Sequence, residues 1–422
     1  MRIALITSEF SGLPGSGGIG SYFRQLAQCL VEGGQTVEVF TAGQPGDLAA
    51  MPGVRFHHLG SPQPPEFAVM AKHAVEARQA AAPFDLIECG ELKAEGHLAA
   101  MAIPSAAFVV RLHSPSIILD RYLDFAPGWR SRCVSVYWQL RSLLGAWRRG
   151  LPLQPIRLEP FSFTWIPSRD AEERNAAAGA DLVIVMNQEL REFALRHWWI
   201  KPEAIAEVPN PLQLDITAPV QSPVGEPPTL GFLGRLEPRK GIVELAKSLV
   251  QVLPEFPGWQ VEIAGRSMPS CVSGSDAGEI AREILKPFAD RVKFVGPVKP
   301  EDVPSWLARM HLCVFPSLWE TFSYVVLEAA AAGKAIVATD TGVISTILNE
   351  GKAGEIVPPG NIKALTTALR AMMSDPERRQ RCGAAARARV MEKYHHEKVT
   401  QQILSAYQCA LLRRDQRLAA RT

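Results

Sequence analysis

Two cationic side chains flank a single turn in the second half of the chain, in the segment Gly-Arg-Leu-Glu-Pro-Arg-Lys-Gly at residues 234–241. The segment follows a short apolar run typical of a strand and precedes apolar residues at helical spacing. Arg235 is therefore expected at a strand tip and Lys240 at a helix start, where both can approach one anion. Either residue alone could be an ordinary surface charge, but their placement on both sides of one turn favours a phosphate site.

Two acids follow in residues 316–329. Glu320 and Glu328 are separated by seven residues, the first in a loop and the second about two turns into a predicted helix. At ~1.5 Å per residue, Glu328 lies roughly 9 Å from the helix start, about the span from a hexose across a diphosphate to a ribose. Amides at a helix start bind phosphate, and carboxylates accept from sugar hydroxyls. The ordinary alternatives are an acid that complements the helix dipole, for Glu320, and a solvent-facing residue, for Glu328.

A glycine cluster, Gly-Ser-Gly-Gly-Ile-Gly, occupies residues 15–20. Its spacing matches dinucleotide-binding turns and keeps a nicotinamide oxidoreductase open as an alternative function. The first glycine, however, comes eight residues after the first predicted strand ends at Thr7, and Glu38 falls inside the next strand rather than at its tip. Gly17 and Gly18 would still let backbone amides approach an anion at the start of the following helix.

The histidines are weaker indications of a functional site than the residues above. His113 follows a predicted strand, and on position alone a structural and a functional role are equally open. The pairs at 57–58 and 395–396 have no Cys or acid at metal-ligand spacing, so we expect them to be solvated and to hold no metal. No Asp-x-Asp sequence occurs. We therefore expect chemistry without metal or cofactor, in which Arg235 and Lys240 do what a divalent ion would otherwise do.

Composition narrows the class of protein. The chain has 422 residues with 45 basic against 43 acidic side chains, and this near balance excludes a uniformly basic nucleic-acid-binding chain. Seven scattered cysteines without a Cys-x-x-Cys pair argue against disulfides or zinc and fit a reducing cytoplasm. There is no uncharged apolar stretch of about 18 residues, so we expect no membrane span. The short apolar run at the N-terminus indicates a buried strand rather than a signal peptide.

Strands that alternate with helices predict parallel α/β sheets. The alternation stops at residues 219–228, where four prolines indicate a linker, and begins again at Thr229. We therefore predict two facing, doubly wound, Rossmann-like domains, residues 1–218 and 229–396, with a ligand cleft at the carboxyl ends of their strands. Residues 397–422 form a predicted terminal helix.

Six segments, spread from Met1 to about Tyr394, together resemble glycosyltransferase family 4 of the GT-B fold. They are GGIGSY (17–22), RLHSP (111–115), GADLVIVMN (179–187), VPNP (208–211), GRLEPRKG (234–241) and FPSLWETFSYVVLEAAAAGKAIVATD (315–340). The spaced glutamates together with the Arg/Lys turn are the most specific of these features.

The resemblance implies a retaining transferase whose second domain binds a nucleoside-diphosphate sugar. It implies that Arg235 and Lys240 hold the diphosphate, that Glu328 binds the ribose hydroxyls and that Glu320 binds the transferred hexose. It also implies that the terminal helix crosses back to brace the first domain.

The same resemblance suggests how the remaining positions complete the site. Phe322 and Ser323 would contribute backbone amides near the hexose, and His113 would lie near the reacting sugar. Gly17 and Gly18 would close the phosphate site from the first domain.

The sequence departs from the family pattern at several loops. Ser323 stands where glycine is usual, Pro211 replaces the glycine of an Asn-Gly turn, and residues 342–346 lack the second glycine and the glutamate of a Gly-Gly-x-x-Glu turn. These departures affect acceptor choice and loop shape more than donor chemistry.

Residues 121–157 carry seven arginines and one acid. Within them, 131–149 predict an amphipathic helix whose apolar stripe consists of Val136, Leu140, Leu143, Leu144 and Trp147. We favour a helix packed on the first sheet; the alternative is a surface for the acceptor or for peripheral contact with an anionic membrane.

The sequence thus favours transfer of a hexose from a nucleoside-diphosphate sugar to a hydroxyl of a glycan, a lipid-linked acceptor or a small molecule, in the cytoplasm. A noncatalytic scaffold that binds sugar nucleotides, and a disaccharide synthase or phosphorylase of the same fold, remain alternatives. The donor base, the hexose, the acceptor and the oligomeric state stay open.

Overall fold

The computed structural model describes residues 1–13, 16–60, 66–119, 167–213, 227–269 and 274–420, together with seven residues between 137 and 148. Most of the predicted linker and most of the arginine-rich segment lie outside the described residues.

The first sheet has seven parallel strands in the order β3-β2-β1-β4-β5-β6-β7. Its strands are β1 (Arg2–Thr7), β2 (Thr36–Thr41), β3 (Val54–His58), β4 (Leu86–Gly90), β5 (Ala107–Arg111), β6 (Leu182–Val185) and β7 (Ile205–Glu207).

The second sheet has six parallel strands in the order β10-β9-β8-β11-β12-β13. Its strands are β8 (Thr229–Leu233), β9 (Gln260–Ala264), β10 (Val292–Gly296), β11 (Leu312–Phe315), β12 (Ala335–Thr339) and β13 (Glu355–Val357).

Helices connect the strands as crossovers. In the first half they are α1 (Gly18–Glu32), α2 (Glu66–Ala81), α3 (His97–Ala102), α4 (Ser116–Leu119), α5 (Pro167–Gly179) and α6 (Gln188–Arg196). In the second half they are α7 (Ile242–Val252), α8 (Ala277–Leu285), α9 (Val303–Arg309), α10 (Tyr324–Ala331), α11 (Ile344–Ile347), α12 (Ile362–Ser374), α13 (Pro376–Lys393) and α14 (His396–Ala419).

Both sheets are buried on their two faces, because helices cover each side of a parallel sheet. The central strands β4, β5 and β12 are accordingly apolar and buried along nearly their whole length. In each sheet the strand order reverses direction beside the first strand, between β1 and β4 and between β8 and β11. Doubly wound sheets bind ligands at such a reversal. The predicted fold of two Rossmann-like domains is confirmed.

The predicted alternation of strands and helices is confirmed, but the sequence patterns did not identify the edge strands β3, β7 and β13. The missed strand β3 changes the interpretation of His57, which was expected to be solvated. Its Nε2 lies 2.6 Å from Oε2 of Glu38, and its ring stacks on Phe40 at 4.4 Å. That expectation is wrong for His57, because strand pairing brings its side chain against β2.

The last helix, α14, follows the second domain in sequence but packs on β5 and β6 of the first sheet. The buried hydroxyl of Tyr407 donates to Glu88 on β4, and the guanidinium of Arg417 reaches both oxygens of Asp181 at 2.8 and 2.9 Å. None of the described helices is both long enough and apolar enough to cross a membrane.

The seven described residues between 137 and 148 are helical. Leu140, Leu144 and Trp147 expose 52%, 42% and 69% of their surface. By contrast, the guanidinium groups of Arg141 and Arg148 lie 5.4 and 5.3 Å from the ring of Trp199. The favoured interpretation, in which this apolar stripe packs on the sheet, is therefore wrong for these three residues. Leu143, also on the predicted stripe, is half-buried, so the stripe is exposed at Leu140, Leu144 and Trp147 but not throughout.

Candidate active site

The predicted anion-binding residues lie in two neighbouring loops. Residues 234–241 follow β8, residues 316–323 follow β11, and these strands are adjacent at the reversal of strand order. Leu318 N–H donates to the carbonyl of Arg239 at 2.7 Å. Gly241 has φ +69°, and a Cβ atom there would lie 1.9 Å from the carbonyl oxygen of Pro316. Only glycine permits this close approach, so the two loops form one unit.

Glu320 is held by two cations at the centre of this unit. One carboxylate oxygen contacts Nζ of Lys240, and the other lies 3.2 Å from Nη1 of Arg239. Burial by itself raises the pKa of Glu320, but Lys240 and Arg239 outweigh it and hold the pKa below its ordinary value. Burial also lowers the pKa of Lys240, although Glu320 opposes that shift. The acid is thus ionised and fixed in position.

Arg239 is the functional candidate that sequence reasoning missed. Its side chain is 6% exposed, and it pairs with Glu237 at 2.8 Å as well as with Glu320. Arg235 lies 3.4 Å from the same Glu237 oxygen, and its side chain is 45% exposed. Arg235, the partly exposed member, is therefore more accessible to an incoming anion than the buried Arg239. Arg239 adjoins Lys240 in the motif already singled out, so its type and position were visible, but its burial was not.

Trp319 and Thr321, on either side of Glu320, are both bound from the first domain. Nε1 of Trp319 donates to Oε1 of Glu189 at 3.1 Å, and the carbonyl of Thr321 accepts from Nδ2 of Asn187 at 3.0 Å. Asn187 and Glu189 follow β6, while Trp319 and Thr321 follow β11. The carboxyl ends of the two sheets therefore meet at this loop.

A helix start with free amides adjoins Glu320. Helix α10 has Ser323 as its N-cap without a side-chain cap bond, and the amides of residues 322–325 donate to no described residue. Phe322 is buried, with its ring 5.4 Å from that of Tyr324 and 6.3 Å from that of Tyr394. Packing fixes the loop through the Phe322 ring, which leaves the amides of Phe322 and Ser323 available to bind an anion.

Glu328 lies on α10 and is not part of the ion-pair network. It is half-buried, and its carboxylate has no hydrogen-bond or charge partner among the described residues. Burial raises its pKa to about 7. A half-buried acid without a partner costs folding free energy. A missing partner of this kind is typical of a group that pairs with a bound ligand.

His113 lies two residues beyond the end of β5 and is 4% exposed. Its backbone N–H donates to Oε2 of Glu91 at 2.8 Å, and its ring packs on Tyr22 at 4.7 Å. Burial and the charge of the nearby Arg111 lower the pKa of His113 to about 3. Its Nε2 is buried and has no hydrogen-bond partner within the described residues. The imidazole is therefore neutral at physiological pH and has one ring nitrogen without a partner.

A buried network supports this histidine from below. Arg111 donates to the carbonyl of Val208 at 3.0 Å and to Oδ1 of Asn210 at 3.2 Å, and it lies over the ring of Tyr22. Its Nε is 3.5 Å from Glu88, which also accepts from the hydroxyls of Tyr22 and Tyr407. The carbonyl oxygen of Val208 and the side-chain oxygen of Asn210 therefore hold Arg111, and with it the end of β5, in position.

After the loop that follows β1, Gly17 is the N-cap of α1 and Gly18 is its first residue. The amide of Gly17 donates to Oε2 of Glu9 at 3.2 Å, whereas a Cβ atom at Gly18 would meet no heavy atom within 4 Å. The helix start is thus open beside Gly18 and partly satisfied by Glu9.

The arrangement can bind an extended anion with hydroxyl groups at both ends. It offers the cations Arg235 and Lys240, the helix amides, and Glu320 and Glu328 as acceptors. No cluster of three metal-ligating side chains occurs among the described residues. A groove of 510 Å³ at the far edge of the second domain, lined by Asn361, Lys363 and Arg378 among others, contains none of the predicted site residues.

Comparison with protein families agrees with both halves of this fold. A model described as "Glycosyl transferase 4-like domain" matches residues 17–211, and one described as "Glycosyl transferases group 1" matches residues 216–389. The second match contains the loops that carry Lys240 and Glu320.

Relatives in sequence are glycosyltransferases. The chain is 32% identical over 182 residues to the lipopolysaccharide core biosynthesis mannosyltransferase LpsB of Rhizobium meliloti, a match that covers 42% of this chain and 51% of the relative. It is 26% identical to the D-inositol 3-phosphate glycosyltransferase of Streptomyces scabiei over 92% of this chain and 86% of the relative. The chain thus spans about half the length of the mannosyltransferase.

Solved structures share the fold along almost the whole chain. The sucrose-phosphate synthase of Thermosynechococcus elongatus superposes with a TM-score of 0.73 at 22% identity, covering 96% of this chain and 98% of that one. Anabaena HepE, in a complex with UDP and glucose, gives a TM-score of 0.68 at 18% identity, with coverage of 96% and 98%. Because both halves of the family occur in order along one chain with this fold, the protein belongs to the GT-B glycosyltransferases of family 4.

Proposed function

We propose that this glycosyltransferase moves a hexose, with retention of configuration, from a nucleoside-diphosphate sugar to an acceptor hydroxyl. The observation that carries the proposal is the fixed contact of Lys240 and Arg239 with Glu320, directly beside the free amides of α10. Cations and helix amides suit a diphosphate, and the adjoining ionised acid suits sugar hydroxyls. HepE, which shares the fold, is described in complexes with UDP and UDP-glucose.

In this proposal Arg235 and Lys240 stabilise the charge that grows on the departing diphosphate, which is commonly the largest catalytic contribution. Glu328 accepts from the ribose hydroxyls, and Glu320 accepts from the hexose. The amides of Phe322 and Ser323 bind near the hexose, while Gly17 and Gly18 close the phosphate site from the first domain.

The chemical step is a substitution on one face of the hexose. The bond from the anomeric carbon to the acceptor oxygen forms as its bond to the phosphate oxygen breaks, and that phosphate oxygen takes the acceptor proton. His113 stays neutral, so it serves as a hydrogen-bonding partner of the reacting sugar through Nε2 rather than as an acid. We propose that no metal is needed.

The test begins with thermal shifts on the full chain in the presence of UDP-, GDP-, ADP- and TDP-sugars, because a ligand that binds only the native state raises the Tm. The sugar nucleotide that stabilises the protein is then incubated with candidate acceptors, and NMR reads the anomeric configuration of the product. Retained configuration and unchanged turnover with a chelator are expected. Inversion, or stabilisation by NADH instead, would overturn the proposal.

Binding without turnover needs a separate comparison. If a donor binds but neither transfer nor hydrolysis occurs with any acceptor, the protein is a noncatalytic scaffold. Release of sugar 1-phosphate from a disaccharide by inorganic phosphate would instead identify a phosphorylase. Both results contradict the proposed transfer.

We further propose that the exposed stripe between residues 137 and 148 contacts an anionic membrane surface on the cytoplasmic side. Tyr137, Leu140, Leu144 and Trp147 are spaced for one helix face, and all four are exposed. The surrounding segment 121–157 carries a net charge of +6, from seven arginines and one acid. Aromatic and leucine side chains beside arginines are typical of helices that lie in a lipid interface.

Flotation of the protein with phosphatidylglycerol vesicles at low salt tests this contact, with phosphatidylcholine vesicles alongside. The double substitution Leu144→Ser, Trp147→Ser should abolish flotation, whereas Leu412→Ser, at a side chain that is 63% exposed on α14, should not. Absence of flotation of the unaltered protein with anionic vesicles would refute the membrane contact.

A further inference from the structure

We infer that Asn187, in the first domain, is a positioning residue for the donor site. Its side chain holds the loop of the second domain that carries Glu320. The inference rests on the proposed function, because it gives Asn187 a part in placing the acid that binds the hexose. Asn187 is 7% exposed, lies two residues beyond the end of β6 and is the N-cap of α6. It lies 134 residues from Thr321 in sequence, so the contact exists only when the two sheets face each other.

The two ends of the Asn187 amide have separate partners. Oδ1 accepts from the amide of Leu190 at 2.8 Å and thereby caps α6, while Nδ2 donates to the carbonyl of Thr321 at 3.0 Å. The cap fixes the rotamer of the side chain, so the donor points at the second domain without further ordering. A helix cap alone requires no amide, since Ser or Asp would serve equally well. The donor end is what distinguishes Asn here.

A second contact from the first domain binds the residue on the other side of Glu320. Glu189, in the first turn of α6, accepts from Nε1 of Trp319, whose ring lies 6.0 Å from the guanidinium of Arg239. Arg239 in turn donates to the Trp319 carbonyl at 3.4 Å and to Glu320 at 3.2 Å. The first domain therefore binds the residues immediately before and after Glu320.

The second domain leaves little other freedom to this loop. Gly342, at φ +55°, brings its backbone so close that a Cβ atom there would lie 2.1 Å from the carbonyl oxygen of Glu320. The loop is thus pressed between Gly342 on one side and α6 on the other. If the Asn187 bond is lost, the backbone at Thr321 keeps only the support of its own domain, and Glu320 is less well fixed against the hexose. A displacement of ~1 Å at such a site can cost roughly 100-fold in rate.

Two substitutions separate the donor end from the cap. Asn187→Ser and Asn187→Asp both retain a side-chain oxygen suited to an N-cap. An ionised Asp has no proton to donate, and the Ser hydroxyl is one atom shorter than the amide, so neither replaces the bond from Nδ2 to the Thr321 carbonyl. Asn187→Asp also places a carboxylate against a carbonyl, so it should be the more severe. The matched control is Asn361, whose Oδ1 caps α12 by accepting from Ala364 at 3.0 Å; its side chain has no hydrogen bond to a described residue of the first domain.

Two readouts are taken on the full-length protein. Hydrogen–deuterium exchange over residues 316–323 needs no substrate, and it should become faster in both Asn187 variants but not in Asn361→Asp. With donor and acceptor, kcat should fall about 10-fold to 100-fold, while the Tm stays near that of the unaltered protein. A purely structural role would instead lower the Tm and leave kcat unchanged.

The outcomes distinguish this inference from the proposed function. Unchanged exchange over 316–323 in Asn187→Asp overturns the inference whatever the turnover. Faster exchange in a protein that has no transferase activity with any donor upholds the positioning contact and refutes the proposed reaction alone. Faster exchange with normal kcat shows that the loop does not place the reacting sugar, and it overturns the inference.

Discussion

Nη1 of Arg239 lies 3.2 Å from Oε1 of Glu320, and both side chains are almost fully buried. The pair is not isolated, because Glu237 binds the same guanidinium and Lys240 binds the same carboxylate. Four charges therefore compensate one another in a region shielded from water. Such a set holds an acid ionised and immobile at a place where a lone acid would become protonated.

Removing Arg239 should therefore destabilise the fold. Arg239→Met leaves the buried acids Glu237 and Glu320 short of charge, and loss of one partner of a buried pair costs about 3–5 kcal/mol. Urea unfolding should show this loss. Arg370→Met, at the exposed pair with Glu255, should leave the urea midpoint unchanged. Equal midpoints for the two variants would contradict the buried network.

Lys240 should matter to turnover more than to stability. Lys240→Met removes a charge from the predicted diphosphate site, while Arg239 still compensates Glu320, and loss of such a group costs about 100-fold to 1,000-fold in kcat. Glu320→Gln should lower transfer comparably, because an amide is a weaker acceptor than a carboxylate for sugar hydroxyls.

Lys247→Met, at an exposed position on α7, is the matched control for Lys240 and should behave like the unaltered protein. Circular dichroism confirms folding in each variant. Near-normal transfer by folded Lys240→Met and Glu320→Gln would refute the assignment of the donor site.

Glu328 should make donor affinity depend on pH. With its pKa raised to about 7, the carboxyl is ionised above this value and protonated below it. The ionised form accepts two hydroxyl bonds from a ribose, so the donor Kd measured by calorimetry should rise as the pH falls from 8 to 6. Glu328→Gln should bind more weakly and without this pH dependence. A variant that keeps the full pH dependence would assign it to another group.

His113 should remain neutral across the working range. Its pKa, lowered to about 3 by burial, predicts ¹⁵N chemical shifts of a neutral imidazole from pH 8 down to pH 5. The unfolded chain takes up a proton on this histidine near pH 6.5, whereas the native protein does not. His113 should therefore lower the free energy of unfolding progressively as the pH falls below 6.5. His113→Asn should reduce that slope. An imidazolium signal at pH 6 would contradict the buried environment.

Tyr407 should couple the last helix to the first domain. Its hydroxyl donates to Glu88 in a fully buried network, and Tyr407→Phe leaves an acceptor partly unsatisfied, at a cost of about 1–3 kcal/mol. The loss should appear in urea unfolding. Leu412→Ser, on an exposed part of the same helix, should leave the urea midpoint near that of the unaltered protein, and a comparable loss there would indicate general weakening of α14 rather than the Glu88 contact.

Sequence patterns predicted the two parallel sheets because buried strands and crossover helices leave strong local periodicities. Ile3 to Thr7 and Ala335 to Thr339 are apolar at nearly every position, since both faces of such strands are covered. The edge strands escaped notice for the opposite reason. Val54 to His58 mixes charged and apolar residues and has only one neighbouring strand.

The residue types for the site were likewise visible in the chain. The side-chain type alone gives the charge and hydrogen-bonding capacity of Arg235, Lys240, Glu320 and Glu328. The distance of Glu328 from the helix start follows from the rise of a helix. Their roles toward a donor stay predictions.

Tertiary structure decided which of these groups touch. The packing of the loops after β8 and β11 decides three features of the site. It buries Arg239, it brings Lys240 against Glu320, and it leaves Glu328 without a partner among the described residues. The reach of Asn187 to Thr321 depends on the meeting of two sheets. Local sequence encodes hydrogen-bonding capacity, hydrophobic period and charge, but contacts between residues far apart in the chain arise only when the whole fold places them at the same point in space.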